Sequence, residues 1–165
     1  MPHSAMLLMT QMMYNKIRTE WNSLGDEQKL GLQKFTCGLV TTNLAYLPAQ
    51  KKICQSVAFI GVYTLKDLWP TFINDVLAID NIDLALNILD SIPCALEETV
   101  VSQAIRAHIG SVMKSFFEVI LDYLARVATD VRFLPVISES LRGWRPLRLS
   151  VFAHAGLTQQ LLGYL

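Results

Sequence analysis

The sequence is poor in residues that interrupt regular secondary structure or cross-link the chain: its 165 residues include only 8 Gly, 6 Pro and 3 Cys. So few glycines and prolines argue against a long disordered linker. The cysteines at positions 37, 54 and 94 have the spacing of neither zinc ligands nor a redox pair, and their odd number does not indicate a disulfide framework. We therefore expect reduced core thiols, as in a cytosolic or nuclear protein.

Charge is also scarce, since 17% of the residues are charged and 52% are hydrophobic. The 14 basic and 14 acidic residues cancel, which argues against a general nucleic-acid binder. Their distribution is uneven: residues 67–105 contain acidic groups but no Lys or Arg. Two interpretations stay open, namely an ordinary solvated surface and an acidic groove for a basic partner.

Long hydrophobic runs are absent. No apolar stretch approaches the roughly 20 residues that a membrane-spanning helix needs. The opening MPHSAMLLMTQMMYNK lacks a basic start, and Thr10 and Gln11 interrupt its apolar part, so it does not fit a signal peptide. We expect a soluble protein without membrane insertion.

Apolar residues at helical spacing are abundant, and strand-like alternation is rare, so the sequence predicts an all-α fold. Caps and breakers divide the chain into successive helices. The predicted helices are Met6–Trp21, 26–42, 48–67, one that opens at Pro70, one that starts near Asn81 and ends or kinks at Pro93, 101–128, Val136–Trp144, and a last one within 150–165.

Some inward positions follow from this spacing. The second helix is expected to bury Leu30, Phe35, Leu39 and Val40, and the long helix over 101–128 is expected to bury Ile105 with the rest of its stripe. Pro70 cannot continue a helix from upstream but fits the first turn of a new one. The Trp69-Pro70 joint therefore predicts a sharp corner with Trp69 mostly buried.

Helical pairs begin near residues 27, 69, 101 and 150, with a spacing of about forty residues that is typical of two-helix solenoid repeats. The sequence thus favours an α-solenoid of about four HEAT-type antiparallel helix pairs. A closed helical bundle is the rival architecture, although it does not predict abrupt corners.

Residues that carry enzyme chemistry are not assembled in any recognisable pattern. His3, His108 and His154 have no Cys, Asp or Glu partner at ligand spacing. There is no Gly-rich phosphate loop, nucleophile elbow or paired-carboxylate motif. We expect no catalytic residues, no metal and no cofactor, and therefore a binding protein rather than an enzyme.

Four stretches resemble one family. AQKKICQSVAFIGVYTLKDLWPTFINDV is similar to the second repeat and the Trp-Pro joint of importin-β-type nuclear transport receptors, and MTQMMYNKIRTEWNSLGDEQK fits the end of a first repeat. LALNILDSIPCALEE resembles the family's helix that ends in Leu-Pro and acidic residues, and SESLRGWRPLRL its short helix ending in Trp. The likeness is closest to the subgroup that contains transportin-SR and importin thirteen.

The resemblance implies that residues 1–165 form one N-terminal HEAT-repeat segment, truncated at both ends relative to the much longer family members. It implies nuclear transport, in the nucleus and cytoplasm, with GTP-bound Ran, protein cargo and nucleoporins as partners and no direct contact with nucleic acid. The alternative is a generic helical scaffold or adaptor without Ran binding.

The family binds Ran on a concave surface lined by the second helix of each repeat. Polar positions on the presumed second helices are therefore the candidate partner-binding residues, although each could be an ordinary exposed side chain. They are Lys16, Lys51, Gln55, Asp83, Asn87 and Asp90.

Overall fold

The computed structural model describes residues 3–41, 47–144 and 155–164, and these residues form helices and turns with no strand among them. The prediction of an all-α fold is confirmed. Short 3-10 turns at Trp21–Ser23 and Val131–Phe133 accompany the α-helices. The helices are α1 His3–Glu20, α2 Asp26–Thr41, α3 Leu47–Thr64, α4 Phe72–Leu77, α5 Ile82–Glu98, α6 Gln103–Ser115, α7 Phe117–Val127, α8 Leu134–Gly143 and α9 Ala155–Tyr164. His154 and the predicted start of the last helix near residue 150 lie outside the described residues.

Helices α1, α3 and α5 lie side by side and run in the same direction. Their C-terminal ends meet, because the ring of Trp21 stacks on Tyr63 at 5.5 Å and Arg18 Nε lies 2.7 Å from Glu98 Oε2. Helix α8 packs on the far side of α5, where Gly143 lies against the Pro93 ring. We call α1, α3, α5 and α8 the parallel layer.

The connecting helices cover one side of this layer. Helix α2 packs against α3, and the short α4 packs against α5. The contact between α3 and α4 is very close, because a Cβ atom at Gly61 would overlap the ring of Phe72. Phe72 itself is fully buried. Gly61 therefore lets α4 approach α3 more closely than any other residue would.

The inner face of α2 is only partly the one that the apolar spacing predicted. Val40 is buried and Leu39 packs against the core, as predicted. Leu30 is 41% exposed and Phe35 is 52% exposed, so these two predictions are wrong. The buried centre of the helix is Thr36, whose hydroxyl donates to the Leu32 carbonyl and also contacts Met13 Sδ. A threonine that satisfies its own hydroxyl in this way can replace an apolar core residue, and hydrophobic periodicity does not detect it.

The long helix predicted over 101–128 is two helices. At Phe116 the backbone N–H bonds to the Met113 carbonyl, three residues back, and α7 begins at the next residue. The predicted burial of Ile105 is also wrong, since this side chain is 42% exposed. The first buried residue of α6 is Ile109, and the residues of this helix before it, 103–108, are exposed.

The corner at Trp69 and Pro70 exists, but the new helix begins at Phe72 rather than Pro70. The Thr64 carbonyl accepts from the backbone N–H of both Leu68 and Trp69, which closes the end of α3. Trp69 packs edge-on against Phe72 and lies against the core with most of its surface buried, as predicted.

Pro93 does not end α5, which continues to Glu98 with the proline ring buried inside the fold. Of the two predicted alternatives, the stop is wrong, because Pro93 loses one backbone hydrogen bond while the packing of the following turn keeps the helix going. The predicted start of α5 is right: the Asn81 side chain accepts a hydrogen bond from the Leu84 backbone N–H at 3.3 Å.

Candidate protein-binding surface

The exposed side of the parallel layer, opposite the connecting helices, carries most of the predicted binding residues. We call it the layer face. On α5, Asp83, Asn87 and Asp90 follow at spacings of four and three, which places them on one side of the helix. The opposite side holds the fully buried Ile88 and Ile92. On α3, Lys51 and Gln55 stand one turn apart on the neighbouring stripe.

Lys51 and Asp90 come together across the α3–α5 contact. Partial burial raises the pKa of the Asp90 carboxyl above its usual value. The ammonium group of Lys51 opposes this shift, and the carboxylate of Glu139 on α8 adds to it. Asp90 is therefore a half-buried acid between one cation and one anion, each from a different helix.

Asp83 lies at the other end of the stripe and is exposed. Its backbone carbonyl accepts a hydrogen bond from the Asn87 side chain at 2.7 Å. Its carboxylate is close enough to Arg132 to contribute to the raised pKa of that guanidinium, after the larger contribution of Asp130. The charge of Asp83 thus faces a basic neighbour that lies far away in the sequence.

Lys16 does not join the other five candidates. Its ammonium group pairs with Glu20 on the same helix at 3.1 Å, and both side chains are exposed. On a helix, a residue two positions away lies about 200° around the axis, so Lys16 and Arg18 point to nearly opposite sides. Arg18 is a residue of α1 that reaches α5, and no local sequence pattern indicates this contact.

Gln55 occupies a half-buried position on α3. Its side-chain oxygen is buried and has no hydrogen-bond partner in the described part of the chain. An amide oxygen in this state has lost water without gaining a protein donor. Gln55 therefore has a hydrogen-bond acceptor that is still unused.

A second cluster on the layer face was not predicted from the sequence. The Cys94 thiol donates to Glu98 Oε1 at 3.4 Å, and Glu98 also pairs with Arg18. Lys52 lies 4.3 Å from the centre of the Tyr14 ring, a cation–π contact. These side chains extend the face from α5 across α3 to α1.

The α5 part of the acidic segment is partly compensated in space. Arg18 pairs with Glu98, Lys51 lies near Asp90, and Arg132 lies near Asp83. The structure thus shows a layer face of mixed charge, with Asp83, Asp90 and Glu98 each near a cation from another element. On this face, uniform acidity is a property of the linear sequence and not of the surface.

No group of three or more His, Cys, Asp or Glu side chains is placed to hold a metal ion in residues 3–41, 47–144 and 155–164. Burial raises the pKa of Cys37 to about 11 and that of Cys54 to about 12, which keeps both thiols protonated at neutral pH. Across the same described ranges, no helix has the length and hydropathy to cross a membrane.

Comparison with known proteins adds no further identification. No protein-family model matches the chain, and no curated protein or solved structure matches it either. The arrangement of the helices and the chemistry of the layer face are therefore the physical basis for a functional proposal, together with the sequence resemblance.

Proposed function

We propose that the chain is an importin-β-like, HEAT-type α-solenoid segment that binds GTP-loaded Ran or protein cargo through the layer face. The observation that carries this proposal is the side-by-side order of α1, α3, α5 and α8, with the C-terminal halves of neighbouring helices together. Stacked helix pairs place one helix of every pair in the same layer, and each pair contacts only its neighbours. In this scheme α2–α3, α4–α5 and α6/α7–α8 are successive pairs.

The chemistry of the layer face also supports a protein partner. It combines charged groups with aromatic rings and with the unused amide oxygen of Gln55. Ran and cargo proteins would meet a preformed surface of helical side chains rather than a pocket. Transport between nucleus and cytoplasm follows from this proposal.

A generic scaffold that does not bind Ran is the second candidate. The mixed charge of the layer face favours it, because carboxylates that already lie near Arg18, Lys51 and Arg132 steer a basic partner less strongly. The two candidates differ in one property, namely whether binding depends on the nucleotide that Ran carries.

A pull-down with the full chain separates them. Purified Ran is loaded with GDP or with a non-hydrolysable GTP analogue and passed over the immobilised chain. The proposal predicts retention of the GTP form only. Equal retention of both forms, or of neither, would support the scaffold and contradict the Ran proposal.

Two substitutions locate the binding surface in the same experiment. Asn87→Trp places a large ring in the middle of the layer face and is expected to abolish retention. Glu118→Trp places the same ring at an exposed position of α7, away from that face, and is expected to retain Ran like the parent. Similar behaviour of the two variants would exclude the layer face as the site.

A further inference from the structure

A second surface lies on the opposite side of α3, between the connecting helices α2 and α4. It is a cleft of about 170 Å³. The side chains that line it are Cys37, Val40, Val57, Trp69, Asp75, Val76, Ile79 and Ile88. Val57, Val76 and Ile88 are almost completely buried and form an aliphatic floor, while Asp75 is exposed at the mouth.

One wall of the cleft is fixed before any partner arrives. The Trp69 indole N–H donates to Asp75 Oδ2 at 2.6 Å, and the Thr71 hydroxyl donates to the same oxygen at 2.8 Å. The Trp69 ring also packs on Phe72, which is seated on Gly61. A ring held by these contacts loses little conformational entropy when a ligand binds beside it.

The size of the cleft limits what can enter it. Sites for metabolites and cofactors usually enclose about 300–1,000 Å³, so a cleft of about 170 Å³ is too small for them. A single aliphatic side chain fits this size. Protein interfaces commonly use such anchors, each seated in a well-packed pocket.

The charge around the α4 side of the mouth is negative. Asp75 stands at the mouth, and Asp67 and Asp80 belong to the exposed turns on either side of α4. Within the described part of the chain, none of these three carboxylates forms a salt bridge, whereas Glu98 on the layer face pairs with Arg18. No Lys or Arg occurs between residues 67 and 105. A cation from outside would therefore meet unpaired carboxylates here.

We propose that this cleft binds an aliphatic side chain of a protein partner in which Lys or Arg residues follow directly. The aliphatic group lies on the floor formed by Val57, Val76 and Ile88, and the basic residues face Asp75 at the mouth. This surface is separate from the layer face, so it does not depend on Ran binding.

Nuclear magnetic resonance of the ¹⁵N-labelled full chain tests the proposal through the indole N–H of Trp69. Trp21 and Trp144 are buried, which makes Trp69 the accessible tryptophan; the variant Trp69→Phe assigns its signal. The probes are four blocked peptides that differ only in a central tripeptide: Leu-Lys-Lys, Leu-Gln-Gln, Leu-Glu-Glu and Ala-Lys-Lys. We expect Leu-Lys-Lys to shift the Trp69 signal at the lowest concentration and Leu-Glu-Glu to bind at least threefold more weakly.

Two variants, with one control, separate the contribution of the aliphatic anchor from the contribution of the charge. Cys37→Phe fills the mouth and is expected to abolish the shift, whereas Cys94→Phe, the same change on the layer face, leaves it unaltered. Asp75→Asn keeps the acceptor for Trp69 and Thr71 but removes the charge. It is expected to weaken Leu-Lys-Lys about threefold at low salt, the size of one exposed ion pair, and to leave Leu-Gln-Gln unchanged.

Three results would overturn the proposal. The first is equal binding of the Ala-Lys-Lys and Leu-Lys-Lys peptides, which would show that the floor holds no anchor. The second is a Cys37→Phe variant that is folded by circular dichroism and binds like the parent. The third is equal affinity for Leu-Lys-Lys and Leu-Glu-Glu, which would remove the role of the carboxylates.

Discussion

Among single residues, Gly61 has the clearest structural requirement. A side chain there would overlap the Phe72 ring, whereas a Cβ at Gly110 on α6 would meet nothing within 4 Å. We expect Gly61→Ala to lower the free energy of unfolding by about 1–3 kcal/mol, as overpacked core positions do. Gly110→Ala is the matched control and should raise it by about 0.5–1 kcal/mol, because alanine favours the helix. Chemical denaturation measures both, and equal effects would refute the close contact.

The raised pKa of Asp90 gives a prediction about pH. Burial and the carboxylate of Glu139 raise the pKa of Asp90, so the folded protein holds the Asp90 proton more tightly than the unfolded chain does. At pH values between the unfolded and the folded pKa of Asp90, the unfolded chain therefore binds fewer protons. The contribution of Asp90 to stability falls as the pH rises through this range. We expect Asp90→Asn to stabilise the protein near pH 7 by about 0.5 kcal/mol, within the range of partly exposed positions.

The pH dependence of that difference is the test. Thermal melts of Asp90→Asn and the parent should diverge as the pH rises from 4 to 7. A matched substitution of the exposed Glu118 to Gln should show no such divergence. A stability difference for Asp90→Asn that shrinks with rising pH would contradict the proposed cause.

Residue patterns predicted these sites unevenly. The stripe of Asp83, Asn87 and Asp90 could be read from its spacing on a strongly amphipathic helix. The pairing of Arg18 with Glu98 could not, because it joins two helices that only the tertiary fold brings together.

Among the helices, α5 depends on a cap that comes from another element. The Arg106 guanidinium of α6 donates to the backbone carbonyls of Leu96, Glu97 and Thr99 at the end of α5. These carbonyls have no partner within their own helix, and a cation also interacts favourably with the helix dipole there. We expect Arg106→Ala to lower the free energy of unfolding by about 1–2 kcal/mol.

Urea unfolding of matched variants checks this cap. Lys114→Ala removes a cation from the last turn of α6, where no such contact is made, and should cost less than about 0.5 kcal/mol. Arg106→Lys should fall between the two, since one ammonium group cannot reach three carbonyls. Equal stability of Arg106→Ala and Lys114→Ala would mean that α5 does not need the cap.

Helix boundaries were predicted to within three residues for α1 and α3, where the apolar stripe is continuous, and at the start of α5, where Asn81 supplies a local cap. The break at Phe116 was not predicted, because this residue continues the apolar spacing from α6 into α7. Part of the inner face of α2 was missed because its centre is Thr36, a polar residue whose hydroxyl bonds to its own helix.

In the whole molecule, cations from other elements lie near Asp83, Asp90 and Glu98 of the layer face, and this limits electrostatic steering there. If the layer face binds a basic partner, Asp83→Asn together with Asp90→Asn should slow association about two- to fivefold at low salt and hardly at all at high salt. Stopped-flow mixing with GTP-loaded Ran measures this rate. The control pair Glu27→Gln and Glu118→Gln removes two exposed charges away from the face and should leave the rate unchanged. Identical rates for both double variants would mean that the stripe of Asp83, Asn87 and Asp90 is an ordinary solvated surface.

The all-α class of the molecule followed from helical periodicity alone. The parallel order of α1, α3 and α5 did not, because it depends on distant contacts such as Trp21 with Tyr63. Five of the six predicted binding residues share the layer face, and Lys16 lies elsewhere because α1 presents Arg18 to α5 instead.

Cys94 offers the most direct test of the proposed function, since it is an exposed thiol in the middle of the layer face. Burial and its hydrogen bond to Glu98 raise its pKa, so labelling is carried out at alkaline pH. An environment-sensitive fluorophore is attached to Cys94 in a Cys37→Ser background, and the labelled chain is titrated with Ran. As a control, the same dye is attached to Glu118→Cys in a chain that also carries Cys37→Ser and Cys94→Ser. We expect a saturable signal at Cys94 with GTP-loaded Ran, none with GDP-loaded Ran, and none at position 118. The same response to both forms of Ran, or no response at Cys94 when the GTP form is in excess, would contradict the proposed function.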